Sequence, residues 1–254
     1  FILLMIIEFT AGKIKGIEVY RPFDTITSIS SGITNVVKDI LGLIVVIVSY
    51  QWMYKNLALF SLSSSVLMYV LAFISLDFAG YWSHRFEHTV NIFWNRHIIH
   101  HSSEEYNLAC ALRQNFSALF AVFTFLLLPA AILGVPPEII NIVAPLHLFA
   151  QFWYHTRLIG KMGILESFIV TPSHHRVHHA INEIYLDKNY GQVFILWDKW
   201  FGTFQQELEQ EPPVYGVKRP VATWNALEIN FQHFWLLLKD AFYTKSWKDK
   251  CRIW

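Results

Sequence analysis

Asn56-Leu-Ala-Leu-Phe-Ser-Leu-Ser-Ser-Ser-Val-Leu-Met-Tyr-Val-Leu-Ala-Phe-Ile-Ser-Leu76 runs for 21 residues without a charge and leads into His84-Arg-Phe-Glu-His88. An uncharged run of this length matches the roughly 20 residues that cross a bilayer as a helix. On a helix, positions three and four apart share a face, so His84 and His88 project to one side. Two more clusters follow, His97-Ile-Ile-His100-His101 and His174-His175-Arg-Val-His178-His179, so nine of the twelve histidines fall in three short stretches. Imidazole is the commonest metal-binding side chain near neutral pH. Three such faces predict a metal centre holding more than one ion.

Further apolar segments surround these clusters. Gln114 to Pro137 is uncharged over 24 residues, Ile139 to Thr156 is shorter, and Ile40 to Tyr54 has 15. With Asn56 to Leu76 they predict about four spans, and the apolar run Phe1 to Ile7 reads as a clipped fifth. A signal peptide would need a basic start and a small-residue cleavage site, which this run lacks. The chain is 54% hydrophobic and only 15% charged, against about 25% charged for soluble domains. A net charge of +1 and scattered basic residues give no footprint for nucleic acid. Cys110 and Cys251 make no disulfide framework and suit a reducing compartment.

Arg85, Arg96 and Arg113 surround the first two clusters, and Arg157, Lys161 and Arg176 flank the third. Basic residues near span ends favour the cytoplasmic side, so all three clusters are expected on one cytosolic face. The fold class is therefore all-α: an integral membrane helical bundle with a cytosolic helical cap around a histidine-rich di-metal site. Residues 1–254 read as a single membrane-embedded domain, with the histidine core at about 70–205. Gln205 to Pro220 is acidic and proline-containing, an expected exposed loop. In the C-terminal segment, about 221–254, Asn225 to Lys245 is amphipathic. Leu227, Phe231, Phe234, Trp235 and Leu238 form its stripe, which suits a membrane interface or core packing equally.

An isolated buried polar group costs roughly 2–7 kcal/mol, so nine clustered imidazoles need partners, and metal ions satisfy them directly. His84-Arg-Phe-Glu87-His88 matches the inverted zinc-protease pattern, with Glu87 as general base. That reading leaves the other two clusters idle, because a catalytic zinc takes three protein ligands. Soluble di-iron proteins use Glu and Glu-x-x-His, a pattern missing at these clusters, so the site is histidine-only or nearly so. A metal transporter would want ionisable residues inside its spans, and Asn56–Leu76 and Gln114–Pro137 have none.

The boxes His-x3-His, His-x2-His-His and a second His-x2-His-His resemble those of the fatty acid hydroxylase and sterol desaturase superfamily. The likeness extends to His100-His-Ser-Ser-Glu-Glu-Tyr-Asn-Leu108, Ala111-Leu-Arg-Gln114, Gln151-Phe-Trp-Tyr-His-Thr156, Thr171-Pro-Ser-His-His-Arg-Val-His-His179, Asp187-Lys-Asn-Tyr-Gly191 and Trp197-Asp-Lys199. These stretches look most like the alkylglycerol monooxygenase branch, from about Asp24 to about Pro220.

The resemblance implies a membrane-bound, non-haem di-iron oxygenase that hydroxylates an alkyl C–H bond of a lipid with O2. In that branch, hydroxylation beside an ether oxygen yields a fatty aldehyde and a glycerol derivative. Relatives on the same scaffold hydroxylate or desaturate sterols, fatty acids or carotenoids. The implied iron ligands are His84, His88, His97, His100, His101, His175, His178 and His179, with His155 as a ninth. His174 lies outside the last box, as a supporting residue. His147 and His233 match no box and read as structural. Asp77, Glu104, Asp187 and Asp198 are candidates to accept from the far ring nitrogen of a ligand.

Arg113 and Gln114 would anchor a lipid head or close a helix, and Trp197, Trp200 and Phe201 would wall a substrate tunnel or join an interface belt. The animal branch takes electrons from tetrahydrobiopterin and carries an acid after the second histidine of its first box. Thr89 follows His88 here, which leaves another electron donor open. The expected partners are a bilayer lipid and this donor. The expected location is the endoplasmic reticulum membrane of a eukaryote or the inner membrane of a bacterium.

Overall fold

A computed structural model of the chain describes residues 1–60, 65–116 and 119–254. Residues 61–64, within the expected span 56–76, and 117–118, within 114–137, lie outside the described residues. The described helices are α1 (Ile2–Lys15), α2 (Pro22–Ile40), α3 (Tyr50–Leu57), α4 (Val66–Thr89), α5 (Asn91–Trp94), α6 (Ile98–His101), α7 (Leu128–Ile132), α8 (Pro137–Phe149), α9 (Pro172–His178), α10 (Leu196–Phe201), α11 (Ala226–Tyr243) and α12 (Trp247–Arg252). Two-residue strands β1 (Val45–Val46) and β2 (Phe120–Ala121) pair in parallel.

Local signals set the ends of these helices. Pro22 opens α2 with Asp24 in its first turn, and Gly16 closes α1 in the left-handed region at φ 68°. The Ser49 and Asn225 side chains cap α3 and α11 by accepting from Trp52 and Leu227 amides.

Among the described residues, α4 alone is long and apolar enough to cross a membrane, at 24 residues. It reaches about 36 Å at 1.5 Å per residue. The helix begins ten residues later than the expected span and carries the first histidine box on its last turns. Among the described residues the remaining expected spans are not single long helices. Gln114–Pro137 divides into β2, a short 3-10 turn at Thr124–Leu127 and the five-residue α7, and Ile139–Thr156 becomes the 13-residue α8. Ile40–Tyr54 holds β1 and the start of α3. Gly134 gives one reason: at φ 76° a Cβ there would come 2.0 Å from the Phe60 carbonyl oxygen, so the chain must turn at this point. Pro136 and Pro137 then restart it as α8.

Met68 and Ala72 of α4, Ala130 of α7, Val135, and Ile139 and Val143 of α8 form the main apolar core. Fully burying one such aliphatic chain contributes about 1.5–3 kcal/mol. In α2 the usual arrangement is inverted. Its Asp24, Thr27, Ser28 and Ser31 are buried, while Phe23, Ile26, Ile33 and Ile40 are 67%, 62%, 60% and 78% exposed. A contiguous apolar exterior of this kind is what a lipid surround stabilises. The expected stripe of α11 (Leu227, Phe231, Phe234, Trp235, Leu238) is likewise exposed, and the helix buries Ile229, Asn230 and Leu237 instead.

Candidate metal centre

The last turns of α4 supply His84 and His88, α6 and the residue before it supply His97, His100 and His101, the turn after α8 supplies His155, and α9 with its C-cap supplies His175, His178 and His179. The seven-residue α9 is fixed at its start by Pro172 and a capping box between Thr171 and His174.

These nine histidines converge as two nests. His84, His88, His97, His101 and His178 each offer a ring nitrogen, all within 4.8 Å of one another, and His100, His155, His175 and His179 form the second set within the same limit. The His100-His101 and His178-His179 pairs are each divided between the nests. The helix explains this, because adjacent residues are turned by about 100° (3.6 residues per turn) and aim at different centres.

Main-chain carbonyls decide which nitrogen faces inward. His84 Nδ1 donates to the Tyr190 carbonyl at 2.8 Å, His178 Nδ1 to Lys188 at 3.0 Å and His155 Nδ1 to Gln151 at 3.0 Å. Each ring then presents its Nε2 lone pair to its neighbours. The Nε2 atoms of His84 and His97 approach to 2.9 Å, as do those of His155 and His175, and those of His101 and His178 to 3.0 Å. His88 Nε2 is buried with no hydrogen-bond partner among the described residues. Inward lone pairs and an unpartnered buried nitrogen form donor sets that fit metal ions, and all-imidazole sets suit iron, zinc, copper or nickel.

Burial holds His97, His100, His101, His175, His178 and His179 well below the ordinary imidazole range, reinforced by their neighbouring rings. Burial also takes His155 down to about 3. These rings are therefore neutral and ligand-ready at neutral pH. Aromatic rings pack the nests: Tyr106 lies 5.2 Å from the His179 ring, Tyr154 4.4 Å from His175, Trp94 5.0 Å from His88 and Tyr190 5.3 Å from His88. Sequence analysis missed this jacket, although Tyr154 adjoins His155 and Tyr106 follows His101 by five positions.

The supporting carboxylates act differently from expectation. Asp77 accepts from His147 Nε2 at 2.8 Å, from the Val193 and Phe194 amides and from Trp197 Nε1, and has no hydrogen bond to the nine rings among the described residues. Asp198 accepts from the Tyr190 and Gly191 amides and the Thr203 hydroxyl, with its carboxyl raised by burial to about 6. Both brace the loop whose Tyr190 carbonyl holds His84, so they position the ligand at one remove. Glu104 and Asp187 are exposed, with no hydrogen bond to a nest among the described residues. His174 caps α9 and lies against Phe204, with its imidazole lowered by burial to about 4. Arg113 is no lipid anchor, being buried in a 2.6 Å ion pair with Asp24. Trp197 is engaged by Asp77, and Trp200 is 66% exposed.

Glu87 is the carboxylate that approaches a nest. It accepts from Arg96 Nε at 2.9 Å and stands 3.5 Å from His97 Nδ1. Engaged on the outer side of His97, Glu87 is not the free base that the zinc-protease pattern requires. A cavity of about 430 Å³ opens onto His88, His101, His178 and His179, and α11 forms one of its walls.

The family model for fatty acid hydroxylase matches residues 69–203, more than half of the chain. The chain belongs to the fatty acid hydroxylase family. Within that family it is 39% identical to the alkylglycerol monooxygenase of Homo sapiens over 255 residues, covering all of this chain and 56% of that protein. It is 36% identical to the alkylglycerol monooxygenase of Xenopus tropicalis, with the same coverage. The ornithine lipid hydroxylase OlsE of Rhizobium tropici is 26% identical over 60% of this chain and 46% of its own length. The chain thus spans about half the length of the curated relatives it matches most fully. The expected resemblance to this family is met. No solved structure matches the chain.

Proposed function

We propose that this chain carries the catalytic centre of a membrane-bound, non-haem di-iron oxygenase that hydroxylates a lipid C–H bond with O2. One iron would be held by His84, His88, His97, His101 and His178, the other by His100, His155, His175 and His179. The observation that carries this reading is the convergence of nine imidazole nitrogens in two adjoining sets within 4.8 Å. Bound iron supplies the activation of O2 and the oxidation of the C–H bond.

The chain's own residues do the rest. Backbone carbonyls fix the ring tautomers, and the buried Tyr106, Tyr154 and Tyr190 keep bulk water from the rings. The substrate class we propose is the alkylglycerol ethers, cleaved to a fatty aldehyde and a glycerol derivative, as the similarity to alkylglycerol monooxygenases supports. Inserting one oxygen atom and reducing the other to water takes two electrons from an external donor, tetrahydrobiopterin or another reductant. The similarity to an ornithine lipid hydroxylase supports a second reading, hydroxylation of a different lipid on the same centre.

The outward apolar faces of α2, α4 and α11 support a bilayer location. We place the histidines on the cytosolic side, at the endoplasmic reticulum of a eukaryote or the inner membrane of a bacterium. The four-span count is kept only as a proposal for the chain in its bilayer.

The test is incubation of the iron-loaded protein and a reductant with an alkylglycerol, with and without air. Aldehyde should form only in air. Failure to release aldehyde in air sinks the ether-cleaving assignment, and hydroxylation of a sterol or an ornithine lipid instead selects the other substrate class.

A further inference from the structure

The cavity above the histidines changes chemistry along its depth. Buried His101, His178 and His179 lie at its inner end, and Ile98, Leu186, Leu236 and Leu237 give it an apolar wall. Its outer, exposed residues are charged with both signs: Lys218 and Arg219 on one segment, Asp187 and Asp240 on two others. Leu236, Leu237 and Asp240 share one face of α11 with His233 at spacings of three, four and seven. That face therefore runs from apolar to charged within two turns. Lys218 and Arg219 are set by Gly216, whose φ of 117° turns the chain over the cavity. None of these four rim charges is held in an ion pair among the described residues.

A slot with metal-ligating rings inside, an apolar wall and a rim of both signs fits an amphiphile whose head carries both signs. We infer that this rim binds the polar head of a single-chain lipid and selects a zwitterionic head. Lys218 and Arg219 meet its phosphate, and Asp187 and Asp240 its ammonium. An uncharged glycerol head leaves the four charges unanswered, and a plain phosphate monoester answers only half of them. The inference rests on the lipid oxygenase reading and narrows its alkylglycerol ethers to those whose glycerol carries a zwitterionic phosphoester.

The experiment uses the metal-loaded full chain in detergent and three short-chain ether lipids. One is an uncharged alkylglycerol, one its phosphate monoester and one its phosphoethanolamine ester. Affinities are measured by competition against a fluorescent alkyl lipid, and aldehyde release is followed separately. The phosphoethanolamine lipid should bind about tenfold more tightly than the alkylglycerol, the size expected of two exposed charge contacts. Lys218→Ala with Arg219→Ala should erase that ratio, and Lys218→Arg with Arg219→Lys should restore it. Asp240→Asn should weaken the zwitterionic lipid relative to the phosphate monoester. Metal content reports that each variant is folded. Equal binding of the three lipids, or an affinity order that survives the double alanine change, overturns the rim. The expected order without aldehyde from any lipid keeps the rim and removes ether cleavage alone.

Discussion

The rings of His101 and His179 lie stacked, with centroids 4.3 Å apart and planes 18° from parallel, yet they serve different nests. Removing either ring opens a gap beside the other. His101→Ala or His179→Ala should therefore release metal from both sites together, from about two ions per chain to fewer than one, because buried ligand sets lose packing and donor at once. Elemental analysis of the purified membrane protein measures this. Full retention of metal in both variants removes these two residues from the ligand set.

Glu87 stands behind His97 and is itself held by Arg96. Glu87→Gln should weaken metal retention about 10–100-fold, the usual cost of losing a partner behind a ligand. A chelator competition series reads it out. Unchanged retention would mean that the carboxylate serves only Arg96.

Asp77 gathers four donors from three separate stretches of chain. In Asp77→Asn an NH2 group faces donors, so about 3 kcal/mol of stability should be lost. Loop 190–194 should loosen as well. A lower thermal midpoint together with faster metal loss is the expected pair of results. A fall in midpoint with unchanged metal kinetics would separate this carboxylate from the centre.

Unfolded imidazole titrates near 6.5, whereas folded His155 does so near 3. Below pH 6.5 the unfolded chain binds protons that the folded chain refuses, so acid favours unfolding down to that folded value. Seven clustered histidines outside α4 share this direction. Asp198, raised to about 6, and Glu105, also raised by burial, oppose them. The metal-free protein should lose stability steeply as pH falls below about 6.5, at roughly 1 kcal/mol per pH unit for each such histidine. Thermal melts across that range check it, and a flat profile contradicts buried neutral rings.

The α11 stripe faces outward. Phe231→Glu with Trp235→Glu should reduce association of the C-terminal helix with the bilayer, seen as greater protection loss of 226–243 in hydrogen exchange on vesicles. Unchanged protection would mean that the stripe is covered by protein instead.

Much of the centre was legible in the sequence because its ligands are spaced by helix geometry, and three- and four-residue spacing survives as a written pattern. The division into two nests was not, since it depends on where α4, α6 and α9 cross. Nor were the acceptors that fix the rings: oxygens of Lys188, Tyr190 and Gln151 belong to the backbone and leave no trace in residue type. Hydropathy overstated the long helices, because apolarity does not register the turns imposed at Gly134 and Pro136. The same measure passed over α2, whose outward isoleucines alternate with serine and threonine that pack inward.

Because those three acceptors are main-chain oxygens, no side-chain substitution deletes them; only a change in the path of the chain can. Residue 188 is thus free to drift in identity while the protonation pattern of the rings stays constant, whereas Tyr190 is also needed for its packing against His88. The chemistry of the centre is inherited through the shape of two loops, and a graft of the histidines alone onto another helical scaffold would leave the rings free to present the wrong nitrogen.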